Sequence, residues 1–410
     1  MDASPGSSDT MRNLAAELLA RIRDASFDGE GVTRQSYGDS ETRAQELIAE
    51  VAAAEGLHVE RDEAANLVIT LPGRSPELPV VACGSHLDSV PEGGNFDGAA
   101  GVVAGLVAMV HCRRQGLVPP RSVRLYGLRG EESAWFGQAY LGSRALFGAF
   151  SAGDLELPHR DTARPLKDYM REAGASVDRI CGGERLLDPS EVACYFELHI
   201  EQGPVMVARR FPVGVVTGIR GNYRHPQVTC TGEAAHSGAV PRWLRRDAVF
   251  AVSEFIMRLD RHWQALLEQG QDLVVTVGIV TTNPAEHAMS RVPGFVEFAV
   301  EFPSESAELL ADFEELLQIE AAGIERLRGV RFDLGEPRHT APATMAPDLC
   351  DGLSEILSAR SIPFERMPSG AGHDAAVFAN HGVPSAMIFI RNENGSHNPH
   401  EAMDMDDFLL

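Results

Sequence analysis

The stretch PVVACGSHLDSVPEGGNFDGAAGVVAGLVAMV, residues 79–110, limits the fold more than any other part of the chain. It opens on a nearly continuous apolar run, as a strand covered on both faces requires. A glycine-rich loop follows, then an apolar helix from about Gly98 to Gln115, then another strand, SVRLYGLRG. Strand, loop, helix and strand in that order predict an α/β layer with a mostly parallel sheet. Ligands usually sit in the loops after the strands of such sheets.

The flanking segments extend this layer. Residues 10–24 and 40–56 carry apolar positions at helical spacing, and NLVITLPG near residue 70 reads as a short strand. From Phe211 the texture changes. PVGVVTGI, HPQVTCTGE, DLVVTVGIV and GFVEFAVEF read as strands, interleaved with helices at about 245–269 and 304–328. That succession predicts a compact α+β module of ferredoxin-like type. After Gly329 the α/β pattern returns, with a helix near 347–360 and the apolar strand VPSAMIFI. The expected architecture is a discontinuous main domain, residues 1–210 and 329–410, with a smaller domain, 211–328, inserted into it.

At 410 residues the chain is long enough for two domains, and its 44% hydrophobic content suffices for a real core. Acidic residues outnumber basic ones by 59 to 36, a formal net charge of −23. Such a balance argues against binding nucleic acid or anionic membranes, which calls for a basic face. The longest apolar run, Gly101–Val110, falls well short of the roughly 20 residues of a membrane span. The amino terminus lacks the basic and apolar regions of a secretory signal. Six cysteines without a C-x-x-C pair read as reduced thiols buried as small hydrophobes, and the expected location is the cytoplasm.

Polar residues able to bind metal fall at the ends of the main-domain strands. His86 and Asp88 leave one apolar strand, and Asp97 follows in the glycine-rich loop. Glu131 and Glu132 end the next strand. His199 and Glu201 alternate with apolar residues in YFELHIEQGP, and His397 lies just past the last strand in NGSHNPHEAM. Neutral imidazole and carboxylate suit divalent first-row metals, and no nearby cysteine competes. Any one of these groups alone reads as a hydrogen-bonded structural pair or a solvated turn. Four of them after four apolar strands of one sheet point to a metal centre, because desolvating charge without a partner costs several kcal/mol.

The motifs GSHLDSVPEGGNFDGAAGVVAGL, EES, ELHIEQGP, TGEAAHSG, SGAGHDAAVFA and SHNPHEA resemble the dinuclear metal amidohydrolases of the N-carbamoyl-L-amino-acid hydrolase, allantoate amidohydrolase and β-ureidopropionase group. These are relatives of aminoacylase and carboxypeptidase-type metallopeptidases. The resemblance runs from about residue 30 to the carboxyl terminus, and ELHIEQGP points to the carbamoylase branch. It implies two divalent ions per subunit, zinc or manganese, with cobalt or nickel possible. Asp97 would bridge them, His86 and His199 would complete one site, and Glu132 and His397 the other. Asp88 would orient His86, and Glu131 would be the general base, serving the attacking water and then the leaving nitrogen. Glu201 and His400 are then structural neighbours.

The resemblance also implies a homodimer formed through the inserted lid and dimerisation domain. His236 would cross to the partner's active site and stabilise an oxyanion there. Gln202, Asn222 and His373 resemble substrate contacts; Arg246 is either another or a helix-surface residue. One subsite departs from the pattern. Where the family reads P-N-A-x-N-V-I-P-G and then D-x-R, this chain reads PAEHAMSRVPGFVEFAVEFPS, so Ser290 replaces the asparagine and Pro303 the arginine that bind the substrate carboxylate. Proline offers no charge and no side-chain donor. Arg291 or Arg391 would have to substitute, or the substrate is an amide or ureide whose recognised group is neutral or differently placed. Trp243, in HSGAVPRW, is a candidate aromatic wall. The expected activity is metal-dependent hydrolysis of a linear amide or ureido C–N bond in a small molecule. A metallopeptidase or aminoacylase, and a catalytically inactive binding protein, are the competing readings.

Overall fold

The structure, a computed structural model, describes residues 5–410; the first residues of the polar amino-terminal stretch, 1–4, lie outside it. The chain divides into two compact units, residues 1–217 with 344–410, and residues 218–343. In the first unit, strands run across the sheet in the order His58–Arg61, Leu67–Leu71, Val123–Leu128, Val80–His86, Val192–Ile200, Ser385–Ile390 and Val213–Ile219. The four strands from Val123–Leu128 to Ser385–Ile390 are parallel. Their flanks are antiparallel: Leu67–Leu71 against Val123–Leu128, and Val213–Ile219 against Ser385–Ile390. The sheet is therefore mixed, where the sequence suggested a mostly parallel one. Parallel neighbours need long crossovers, and only the centre has them; the tight turn between Arg61 and Leu67 joins an antiparallel pair.

Register brings the ends of the parallel strands together. His86 lies opposite Leu128, Cys83 opposite Phe196, and Phe389 opposite His199. The expected apolar helix spans Ala99–Arg114 and buries Val102, Val103, Leu106 and Val110 in one core with helices Pro5–Ser26 and Asp39–Ala54. A second core of this unit, around Trp135, Phe136, Leu141, Leu166 and Met170, comes from short helices between residues 141 and 181 that periodicity did not reveal. Cysteine burial is less complete than expected. All six thiols are free, but Cys181 is exposed and only Cys230 and Cys350 are fully buried.

The inserted unit follows the order strand, helix, strand, strand, helix, strand: Gly221–Thr231, Ala248–Glu268, Thr276–Thr281, Phe295–Ser304, Ala307–Arg328 and Arg331–Asp333. Across its antiparallel sheet the strands lie fourth, first, third, second. Its core is built from Phe255, Phe298, Phe302, Phe313 and Leu317. Both boundaries differ from the sequence reading of 211 and 328. Val213–Ile219 pairs with Ser385–Ile390 and buries Val213, Val215 and Val216, so it belongs to the main sheet. The fourth strand of the insert lies beyond Gly329, where Phe332 pairs with Cys230. Alternating hydrophobicity identifies a strand but not the sheet that it joins. No helix among the described residues is long and apolar enough to cross a membrane.

A buried ion pair fastens the helix Asp39–Ala54 to the end of strand Val123–Leu128. Arg129 Nη1 donates to Glu41 Oε2 at 2.6 Å, and Glu41 also accepts from the backbone N–H groups of Tyr37 and Gly130. Neither side chain is exposed. Burial pushes the Glu41 carboxyl up to about 7, against the pull of Arg129. Arg129→Met removes the group that holds this carboxyl down, and leaves Glu41 buried without its partner at pH 8. Urea unfolding at that pH should show a loss of about 3–5 kcal/mol. A loss below about 1 kcal/mol would mean that the pair does not hold this turn.

Candidate functional site

Each strand of the parallel centre delivers its candidate ligand at its carboxyl end. His86 closes Val80–His86, Glu131 and Glu132 follow Val123–Leu128, His199 lies at the end of Val192–Ile200, and His397 follows Ser385–Ile390. Asp97 comes from the glycine-rich loop, just before the helix Ala99–Arg114. Between them sits Gly98, with φ +66°, where a Cβ would come within 2.5 Å of the His86 ring. Glycine at this position lets the loop lay Asp97 against both histidines.

The potential ligand atoms of His86, Asp97 and His199 lie within 4.8 Å of one another, as do those of Asp97, Glu132 and His397. Asp97 is common to both groups. Its Oδ1 is 3.1 Å from His199 Nε2 and 3.5 Å from His86 Nε2. Its Oδ2 is 3.4 Å from His397 Nε2, which lies 3.3 Å from Glu132 Oε1. His199 Nδ1 donates to the Ile200 carbonyl at 2.9 Å, and His86 Nδ1 faces the Asp88 carbonyl at 3.1 Å and carboxylate at 3.3 Å. With Nδ1 protonated and both rings neutral, each Nε2 faces Asp97, the two lie 3.4 Å apart, and His199 Nε2 also accepts the Gly98 N–H at 3.1 Å. Lone pairs so arranged repel unless positive charge lies among them.

That demand for positive charge shows in the titration of the cluster. Asp97 and then Glu132 push His397 up to about 10. Burial raises Asp97, but the imidazoles of His199, His397 and His86 overcome it and hold the carboxyl well below its usual range. Imidazole nitrogen and carboxylate oxygen, without sulfur, are a fitting donor set for divalent first-row ions. Glu131 belongs to neither triad. Its Oε2 lies 3.9 Å from His86 Nε2, and burial pushes its carboxyl well above the usual range, with His86 opposing and Glu132 adding to the rise.

Supporting contacts hold these groups in place. The Asp88 carboxylate accepts the backbone N–H groups of Glu131 and Glu132 at 3.0 and 3.1 Å and the Ser36 hydroxyl at 2.6 Å. Asp88 thus orients the site and takes no place in either triad. Glu401, which sequence reasoning missed, accepts from the N–H groups of Phe96 and Asp97 at 2.7 and 3.2 Å. Ser396 Oγ lies 2.6 Å from both Glu401 Oε2 and Asp97 Oδ2. Both residues stand in SHNPHEAM beside His397, but single polar residues at such spacing carry no signal of their own. Buried Glu197 was also missed; it accepts from Ser85 Oγ and the Ala375 N–H.

The other expected residues divide between the two units. Gln202 donates from Nε2 to Asp97 Oδ2 at 2.8 Å, and His373 lies edge-on to the His199 ring, 4.4 Å between centroids. Burial, then the charges of His199 and His86, hold His373 well below the ordinary imidazole value, so it is neutral. Glu201 accepts the N–H groups of Val205 and Met206, and His400 is exposed; neither joins a triad. Arg391 is engaged with Asp407 at 2.8 Å.

In the inserted unit, His236 pairs with Arg291 in a short antiparallel ladder, and Ser290 accepts the Ser237 N–H. Arg291 also pairs with Glu286 at 2.8 Å and lines a cleft of about 400 Å³ with Thr282, His287 and Met289. Asn222 lies opposite Pro303, donates to Glu301, and leaves its buried Oδ1 without a partner among the described residues. Arg246 is exposed, 3.9 Å from Glu233, and Trp243 is 80% exposed.

Comparison with known proteins identifies the family. Residues 82–410 match the family described as peptidase family M20/M25/M40. The chain is 33% identical to an N-carbamoyl-L-amino acid amidohydrolase of Geobacillus stearothermophilus, over 92% of this chain and 90% of that one. It is 32% identical to the allantoate amidohydrolase of Escherichia coli, over 92% and 89% of the two chains. Among solved structures, an amidase of the hydantoinase/carbamoylase family from Burkholderia multivorans superposes with a TM-score of 0.83 at 27% identity, covering 98% of this chain and 94% of the other. The chain belongs to the M20/M25/M40 peptidase family and is, within it, an enzyme of the amidohydrolase type.

Proposed function

We propose that this protein is a metal-dependent amidohydrolase that cleaves a linear amide or ureido C–N bond of a small molecule. The observation that carries the reading is the pair of triads sharing Asp97, with the buried carboxyl of Glu131 beside them and part of neither. His86, His199 and Asp97 would hold one divalent ion, and Asp97, Glu132 and His397 a second. Zinc or manganese suits these donors best, and cobalt or nickel fits as well. Ions bound there supply Lewis acidity, lowering the pKa of water and polarising a carbonyl.

Glu131, with its raised pKa, accepts the proton of the attacking water and returns it to the leaving nitrogen. Asp88 keeps the Glu131–Glu132 turn in register with His86. The relatives named as hydrolases of N-carbamoyl amino acids and allantoate support a carbamoyl or ureido substrate. Because Ser290 and Pro303 lack the chemistry of a carboxylate clamp, the substrate group recognised there is neutral or is met by Arg291. Arg291 is the better replacement, since its exposed pairing with Glu286 is weak and exchangeable. Arg391 is held by the buried Asp407.

We further propose that the inserted unit is a lid and the site of homodimerisation, with His236 completing the neighbouring copy's site. The strand Thr276–Thr281 lies at the edge of its sheet, and Gly278–Thr281 are exposed, including Ile279 at 58% and Val280 at 55%. An apolar edge strand of this kind invites pairing. Six free thiols suit a reducing compartment, and we assign the protein to the cytoplasm.

Stripping with chelator and reloading with zinc or manganese should restore hydrolysis of ureides and N-carbamoyl compounds, followed as released ammonia or amine. Glu131→Gln should lower turnover by about 10²–10⁴-fold while bound metal stays at the wild-type level. Glu132→Gln should lose metal as well. Preferred cleavage of peptides or N-acyl amino acids would replace the proposal with the peptidase reading, and a metal-loaded protein inert on every substrate would mean a binding protein.

Sedimentation should show a dimer for the wild type and a monomer for Val280→Lys. A wild-type monomer at micromolar concentration would remove the role proposed for His236.

A further inference from the structure

Tyr140 has a conformation that a tyrosine rarely adopts. It precedes the helix Leu141–Leu146 with left-handed backbone angles, φ 62° and ψ 36°. A residue with a side chain is strained in that conformation, so the surroundings must impose it. Three successive backbone hydrogen bonds do so: Tyr140 N–H to Glu131 O at 3.0 Å, Leu141 N–H to Gly130 O at 2.8 Å, and Gly142 N–H to Arg129 O at 2.7 Å. The tyrosine is therefore fastened to the turn that carries Glu131.

Its ring reaches the loop before the helix Asp374–Asn380. A Cβ on Gly372 would lie 1.6 Å from the Tyr140 hydroxyl and 2.9 Å from its ring carbon, so only glycine leaves room for the phenol. The next residue, His373, rests edge-on against His199. The hydroxyl thus lies between the segment bearing Glu131 and the segment bearing His373. Burial first, and then the negative charges of Glu131, Asp374 and Glu197, push the phenol well above its ordinary value, which keeps it a donor. Among the described residues the hydroxyl makes no hydrogen bond; those of Tyr140 run through its backbone. A strained residue whose hydroxyl packs against the segment leading to His373, beside the turn that carries Glu131, and serves no internal hydrogen bond, is placed for a ligand.

We propose that the Tyr140 hydroxyl contacts the substrate, donating a hydrogen bond to the oxygen of the scissile amide or ureido carbonyl. The assignment rests on the amidohydrolase reading. Charge grows on that oxygen as the carbonyl is attacked, so the bond strengthens in the transition state and acts mainly on kcat. The ring's position under Gly372 makes the placement rigid, so little reorganisation accompanies the reaction.

Tyr140→Phe removes the hydroxyl and nothing else. In the metal-loaded enzyme it should lower kcat by about 10²–10³-fold and leave KM within about threefold. Its thermal midpoint and metal content should match the wild type, because no internal hydrogen bond is lost. Gly372→Ala, which displaces the hydroxyl, should lower kcat in the wild-type background by at least as much as Tyr140→Phe does. Wild-type kcat in Tyr140→Phe would overturn the assignment while leaving the amidohydrolase reading intact. A fall in thermal midpoint with kcat unchanged would overturn it too, as the mark of a packing role. Absence of metal-dependent turnover by the wild type would instead overturn the amidohydrolase reading, and this assignment with it.

Discussion

The carboxylate of Asp88 ties together three segments at the carboxyl ends of the parallel strands. Its two oxygens accept the N–H groups of Glu131 and Glu132, one also takes the Ser36 hydroxyl, and the other faces His86 Nδ1. A fully buried carboxylate is costly unless its lone pairs are satisfied, and here the strand ends themselves satisfy it. The two glutamates thereby gain a fixed direction relative to His86, and the imidazole gains a fixed tautomer. The Arg129–Glu41 pair repeats the device one step further out, holding the strand end from which the glutamates emerge.

Around that anchor the site depends on parallel register. Strands in a parallel sheet present their carboxyl ends on one edge, so residues far apart in sequence converge without any local motif linking them. Asp97 then joins the two triads because one carboxylate has two oxygens, each facing different imidazoles. Glycine contributes by omission. Gly98 clears the His86 ring and Gly372 clears the Tyr140 hydroxyl, so backbone and side chains approach where any Cβ would collide.

The inserted unit follows a different logic. Its helices and antiparallel strands close on a phenylalanine-rich core of their own, which makes it a separate compact body. Pro303 is accommodated near the end of its strand, opposite Asn222 and past the last pairing with Thr276–Thr281. Arg291 and His236 lie opposite each other in a ladder of two residue pairs.

Much of this was legible in the chain. The buried strand, the apolar helix and the polar residues at strand ends all stand out, because periodicity and the cost of desolvating charge are local properties. The domain boundaries were not, since Val213–Ile219 and Arg331–Asp333 look like strands in either sheet and only pairing decides which they join. Glu401, Ser396, Glu197 and Tyr140 were also hidden. Their positions depend on contacts made across as many as 305 residues, as between Phe96 and Glu401. The sequence by itself determined which chemical groups are present and on which elements they ride. Tertiary structure alone decided which carboxylates hold the strand ends and which converge on the imidazoles, because those distinctions are made by packing and register between distant segments.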